Sequence, residues 1–196
     1  MSGSNNIADL HTRVRAWWEP WATDYSEYNE VGHTDNEVKV VDYNYSMQFR
    51  NFQGTDWPVD QILFLIDGIK HHPNSRRNVA TTWNASDMVN SGCKITNCHG
   101  TVIQVFVEQK DKLHLVTYQR SCDAICGIPH NWFQYWAFLV WLAHRTGKVP
   151  YCLTWIGGDV HCYWDHLEIA KEIMSHKYTS IPSPQLVYVP SSEDFL

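Results

Sequence analysis

The chain has 196 residues, 44% hydrophobic and 18% charged, a composition that excludes wholesale disorder and fits one globular domain spanning 1–196. Its net charge of −6 excludes a broadly basic nucleic-acid-binding face, so any anion site must be a local pocket. No apolar run approaches the roughly 18 residues of a membrane span. The polar start, Met1 to Asp9, lacks the pattern of a signal peptide, so a cytoplasmic protein is expected.

Ile7, Leu10, Val14, Trp17 and Trp18 recur at helical spacing, which predicts a helix over 6–18, stopped near Pro20. Residues 21–36 read as a polar loop, and alternation from Val38 to Phe49 predicts a strand. Pro58 to Ile69 predicts a helix with proline in its first turn and Gly68 near its end. His71 to Arg77 reads as a loop, Asn78 to Trp83 as a short strand, and Cys98 stands just before or within a strand running to Glu108. Leu113 to Gln119 is its expected hairpin partner across Gln109-Lys110-Asp111.

Residues 131–145 are apolar nearly all round, which predicts a buried helix. Val149 to Ile156 reads as a strand, and Trp164 to Ser175 as a helix with Leu167, Ala170, Ile173 and Met174 inward. A last strand is expected around Gln185 to Val189, bracketed by Pro182, Pro184 and Pro190. Hairpins mixed with helices, without strict βαβ alternation, point to an α+β fold.

A thiol, an arginine, an amide and a histidine fall between Asn97 and Tyr163, about a third of the chain. Six cysteines, at 93, 98, 122, 126, 152 and 162, lack paired CxxC spacing, so free thiols and no metal site are expected. Cys98 is followed directly by His99. A cysteine nucleophile needs a nearby cation to hold its thiolate, and Ser75-Arg76-Arg77 and Arg120 offer guanidinium forks suited to phosphate. Asn131 either caps its helix or reads an amide-like ring edge, since its amide offers both acceptor and donors. His161 and Tyr163, two apart, share a face if that stretch is extended, where sugar hydroxyls are natural partners.

An ordered set of motifs then stands out. Trp18-Glu19-Pro20-Trp21-Ala22, Tyr45-Ser46-Met47-Gln48-Phe49-Arg50, Ser75-Arg76-Arg77, Thr82-Trp83-Asn84 and Cys98-His99 come first. Gln119-Arg120-Ser121-Cys122-Asp123, Gly127-Ile128-Pro129-His130-Asn131 and Gly157-Gly158-Asp159-Val160-His161-Cys162-Tyr163 follow. Over roughly residues 5–190 this series resembles the thymidylate synthases and their wider superfamily, which includes pyrimidine-nucleotide hydroxymethylases.

The resemblance implies a mixed β-sheet flanked by helices and a homodimer packed sheet against sheet. It implies Cys98 as the nucleophile at C6 of a uridylate, with 5,10-methylenetetrahydrofolate or a related reduced pterin as cofactor. Arg76 and Arg77, given in trans, and Arg120 and Ser121, in cis, would hold the 5′-phosphate of a dUMP-like nucleotide. Asn131 matches the base-reading amide, His161 and Tyr163 the pair at the sugar hydroxyl, and His99 and Asn84 positions near the pyrimidine. Asp123, Trp18 and Trp21 match cofactor-facing residues, and Tyr45 a tyrosine near the proton removed from the base. Counting back from Trp18 places the family's catalytic glutamate before Met1, which leaves water, Tyr45 or Glu19 for acid chemistry. The sugar-binding tyrosine and the closing C-terminal tail would follow Leu196. Hydroxymethylation of the pyrimidine, and nucleotide binding without turnover, are therefore the alternatives to methylation of dUMP.

Overall fold

The computed structural model of the chain describes residues 23–24, 39–40, 45–54, 56–85 and 100–177. They divide into two compact units, one drawn from Met1–Leu65 and Val79–Val102, the other from Ile66–Asn78 and Ile103–Leu196. Each is taken in turn.

In the first unit, β1 (Thr23–Asp24) and β2 (Lys39–Val40) pair antiparallel. Then α1 (Tyr45–Arg50) stands where alternation predicted the continuation of a strand to Phe49. The correction has a packing reason: Gln48 and Phe49 are both buried, and adjacent residues share a buried side on a helix but not on a strand. Helix α2 (Gln61–His71) begins three residues after Pro58, and Asp60 caps it by accepting from the Leu63 N–H at 2.9 Å. The other oxygen of Asp60 pairs with Arg50 Nε at 2.7 Å. Gln61 acts like a strand peptide: its Nε2 donates to Thr81 O and its Oε1 accepts from Thr81 N, at 2.7 and 2.9 Å. Its Nε2 also donates to Gln48 O at 2.8 Å, so α1, α2 and β3 (Val79–Thr81) share one side chain.

The helix expected over Pro58 to Ile69 stands as Gln61–His71, with Gly68 near its end. Gly68 lies inside α2, where a Cβ would collide with the Asn78 carboxamide. The predicted helix over 6–18 and strand over 185–189 lie outside the described residues.

The second unit holds the chemistry. Strand β4 (Thr101–Glu108) turns through Gln109 and Lys110, both left-handed with φ of 50° and 77°, into β5 (Lys112–Asp123). Helix α3 (Gly127–Thr146) follows, then β6 (Val149–His161), which pairs parallel with β5. With β3 they form one mixed four-stranded sheet in the order β3-β4-β5-β6, flanked by helices, the expected α+β architecture.

On one face of the sheet, Ile103, Val105, Leu113, Leu115, Thr117 and Gln119 are all sealed. Helix α3 covers this side with Tyr135, Phe138, Leu139, Leu142 and Ala143, a stripe at helical spacing. It ends at Gly147, left-handed with φ of 66°, and the Lys148 N–H returns to Ala143 O at 2.8 Å.

The helix predicted as buried all round is one-sided: Trp132, Phe133 and Trp136 are exposed, and with Leu153 and Trp155 they line an open apolar cavity of about 520 Å³. The other face of the sheet is apolar and open, with Phe106 stacked on His114, and Tyr118 and its ladder partner Ile156 exposed. After β6, a 3₁₀ turn (Trp164–His166) leads into α4 (Leu167–Ser175). None of α4 is buried and Met174 is 86% exposed, against the expected inward face. Among the described residues, no helix is long and apolar enough to cross a membrane.

Candidate active site

The carboxyl ends of β5 and β6 and the start of α3 converge, because a parallel pair leaves both strand ends on the same edge. The register sets Ser121 beside Asp159, Cys122 beside Val160 and Asp123 beside His161. The Ala124 N–H then donates to His161 O at 2.7 Å, locking the loop that leads into α3.

Gln119 organises the interior of this edge. Its Oε1 accepts from Trp155 Nε1 at 2.9 Å and from the Tyr135 hydroxyl at 3.2 Å. Its Nε2 donates to Asn131 Oδ1 at 3.0 Å and to Ser121 O at 3.2 Å. The Cys122 thiol donates to the same Asn131 oxygen at 3.5 Å. Asn131 therefore holds its Oδ1 toward Gln119 and Cys122, with Nδ2 on the opposite branch. It lies in the second turn of α3, so it does not cap the helix; Cys126 occupies the N-cap. Glycines 157 and 158 permit this close build. A Cβ on Gly157 would collide with the Trp155 ring, and one on Gly158 would sit 2.6 Å from Arg120 O and 2.7 Å from the Tyr118 hydroxyl.

Further polar residues line the same strand ends. Asp123 accepts from the Ile125 N–H at 2.9 Å, while its Oδ2 lies 3.7 Å from His166 Nδ1. The His161 and Tyr163 rings meet edge to face at 5.0 Å, so the expected pair does share one surface. Asp159 lies 3.7 Å from His161 Nδ1. Arg120 and Ser121 are half-buried on β5, and Arg120 Nε is shielded from solvent. Arg76 and Arg77 are exposed on the loop after α2, where the Arg77 N–H donates to Ser75 Oγ at 3.2 Å.

The thiols differ in character. Burial pushes the Cys122 thiol up; hydrogen bonding from Gln119 opposes this and the negative charge of Asp123 adds to it. Partial desolvation, then the charge and hydrogen bond of Asp123 and the charge of Asp165, raise Cys126. Both are held as thiols, the reverse of what a nucleophile requires.

Of the residues expected at the site, the second unit holds Arg120, Ser121, Asp123, Asn131, His161 and Tyr163, at or just past the carboxyl ends of β5 and β6 and near the start of α3. Tyr45 and Asn84, both half-buried, belong to the first unit. Cys98, His99, Trp18 and Trp21 lie outside the described residues. Sequence reasoning missed Gln119, Tyr135, Trp155 and His166. Gln119 had a signal: strand alternation puts it in phase with Leu113 and Leu115, and a polar residue there demands a network.

The family model of thymidylate synthase matches residues 1–195. A probable thymidylate synthase of Escherichia phage T5 is 33% identical over 188 residues, covering 93% of this chain and 64% of the relative. The thymidylate synthase of Corynebacterium aurimucosum is 31% identical over 196 residues, covering 100% of this chain and 67% of the relative. That of Rhodopseudomonas palustris is 32% identical over 210 residues, covering 99% and 70%. The chain belongs to the thymidylate synthase family, a family of one-carbon transferases. It spans about two thirds of the length of these relatives.

Proposed function

We propose that this chain, acting as one domain, transfers a one-carbon unit to C5 of a uridylate, converting dUMP to dTMP. The observation that supports this reading is the Asn131 amide, oriented by Gln119 at the start of α3, on the edge where β5 and β6 end. A uracil edge presents a carbonyl acceptor, which the Asn131 Nδ2, turned away from Gln119 and Cys122, complements as a donor. A carboxylate would complement the donor-rich edge of cytosine instead.

C5 of uracil is a poor nucleophile. In the proposed reaction the Cys98 thiolate adds to C6, and the resulting enolate, delocalised onto the ring carbonyl, makes C5 nucleophilic. Arg120 and Ser121, with Arg76 and Arg77 donated across a two-fold dimer, hold the 5′-phosphate, and their charge also lowers the thiol pKa of Cys98. The open apolar face bearing Phe106, Tyr118 and Ile156 suits the sheet-to-sheet contact of such a dimer. Asn131 holds the ring, and His161 and Tyr163 meet the sugar hydroxyl. The resemblance gives His99 and Asn84 positions near the pyrimidine and Tyr45 a place by the proton leaving C5; when hydride reaches the transferred carbon, the C6–S bond breaks and Cys98 leaves as thiolate.

The donor set fits a reduced pterin: Asp123 is a largely buried, acceptor-only carboxylate, matched to the N–H groups of an aminopyrimidine edge. Asp123, Trp18 and Trp21 would hold it. When bound, methylenetetrahydrofolate supplies the one-carbon unit and the hydride. Positioning the two reactants supplies up to about 7–11 kcal/mol of barrier lowering.

Tritium release from dUMP labelled at C5, with methylenetetrahydrofolate present, tests the reading, and the expected product mass is that of dTMP. A hydroxymethyl product assigns the chain to pyrimidine hydroxymethylation instead. Binding of dUMP without tritium release, whichever reduced pterin is added, overturns the catalytic reading.

A further inference from the structure

Three metal-ligating side chains from separate elements meet at the outer rim of the site. Asp123 ends β5, Cys126 caps α3 and His166 closes the 3₁₀ turn after β6; one ligand atom from each lies within 4.8 Å of the other two. Cys126 Sγ is 4.0 Å from His166 Nε2, and Asp123 Oδ2 is 3.7 Å from His166 Nδ1. That Nδ1 is buried and makes no hydrogen bond among the described residues, a costly state for a polar atom. Tyr163 packs edge to face on the same imidazole, at 5.9 Å, and holds it in place. Nucleotide chemistry at Asn131 uses neither Cys126 nor His166.

We infer that Asp123, Cys126 and His166 form a three-ligand site for a thiophilic divalent cation of the zinc class. The donor set of one sulfur, one imidazole nitrogen and one carboxylate oxygen is of borderline softness and suits zinc or cobalt over magnesium or calcium. Bonds of about 2.0–2.3 Å in a tetrahedron put ligand atoms about 3.3–3.7 Å apart, so the trio, one atom from each within 4.8 Å of the others, must draw in by up to about an ångström. One ring nitrogen must serve the ion, which requires a modest rotation of the His166 ring. The fourth position falls to water.

Binding replaces the thiol proton with the metal, so one proton leaves per ion bound. No ligand spacing in the sequence signals this trio; Asp123 and Cys126 are close in the chain, but His166 arrives only through the β5-α3-β6 crossover. The inference stands apart from the proposed reaction. One consequence rests on that reaction: a metal-bound Asp123 is lost to the pterin, so the ion should compete with the cofactor.

Cobalt(II) titration of the full chain tests the site. One ion per chain should bind with thiolate-to-cobalt charge-transfer absorption and release of one proton. Cys126→Ser should abolish that band, and Cys152→Ser should leave it intact. His166→Gln should weaken binding more than about a hundredfold, since loss of an outer partner alone costs about 10–100-fold. With folding checked by circular dichroism, a band that survives Cys126→Ser, or no band in the parent chain, overturns the assignment. Because absorption is the readout, the outcome holds whether or not tritium release is seen.

Discussion

The two ends of β5 bury opposite chemistry on the same face. At the start, Leu113 and Leu115 are wholly sealed and packed by apolar neighbours. At the finish, Gln119 is equally sealed, yet it is an amide bound to Trp155, Tyr135, Asn131 and Ser121. The apolar end gains from area removed from water. The polar end gains little net stability from its bonds, but each partner lost there leaves a desolvated group behind. A single strand thus carries a part that makes the protein stable and a part that makes one side chain point in one direction.

Substitutions should separate those roles. Leu115→Ala is expected to cost about 2–5 kcal/mol in urea unfolding, with nucleotide affinity per folded molecule unchanged. A fall in that affinity would break the division between the two ends. Gln119→Leu takes the acceptor from the Trp155 indole and the donor from Asn131, so it should cost about 2–3 kcal/mol. It should also lower dUMP affinity about tenfold, and unaltered affinity would show that Asn131 needs no support.

Asn131→Asp should weaken dUMP binding by about 1–3 kcal/mol, measured calorimetrically, and shift preference toward a cytidylate. Alkaline stability gives a smaller signal. A thiol whose folded pKa is raised contributes fully below its ordinary value near 9.0, and that contribution is lost as pH climbs from there toward the folded pKa. Unfolding measured against pH should fall off less steeply in Cys122→Ala. Lys171→Ala, which breaks the exposed pair with Glu168, should change stability by less than about 0.5 kcal/mol.

The legibility of this protein in its sequence follows the same gradient. Elements whose burial is one-sided and regular, β4 and the first half of β5, stand where strands are expected. Where neighbours override local pattern the reading failed. Tyr45 to Phe49 looks like a strand until Gln48 and Phe49 are seen to share a buried side. Helix α3 looks sealed because Trp132, Phe133 and Trp136 are apolar, yet they face the open cavity. For the site, ordered motifs carried the individual residues, and the parallel register then explains why Asp123 and His161 meet. Gln119 and the metal trio depend on side chains that meet only through the crossover.

Gly68 carries a lesson for engineering. Replacing glycine with alanine inside a helix ordinarily gains about 0.5–1 kcal/mol and is a routine step toward a hardier protein. Here an added methyl would push on Asn78, whose carbonyl accepts from the Val105 N–H at 2.9 Å and whose chain neighbour is Arg77. A consensus-minded redesign at this position would trade a sturdier helix for a displaced arginine loop.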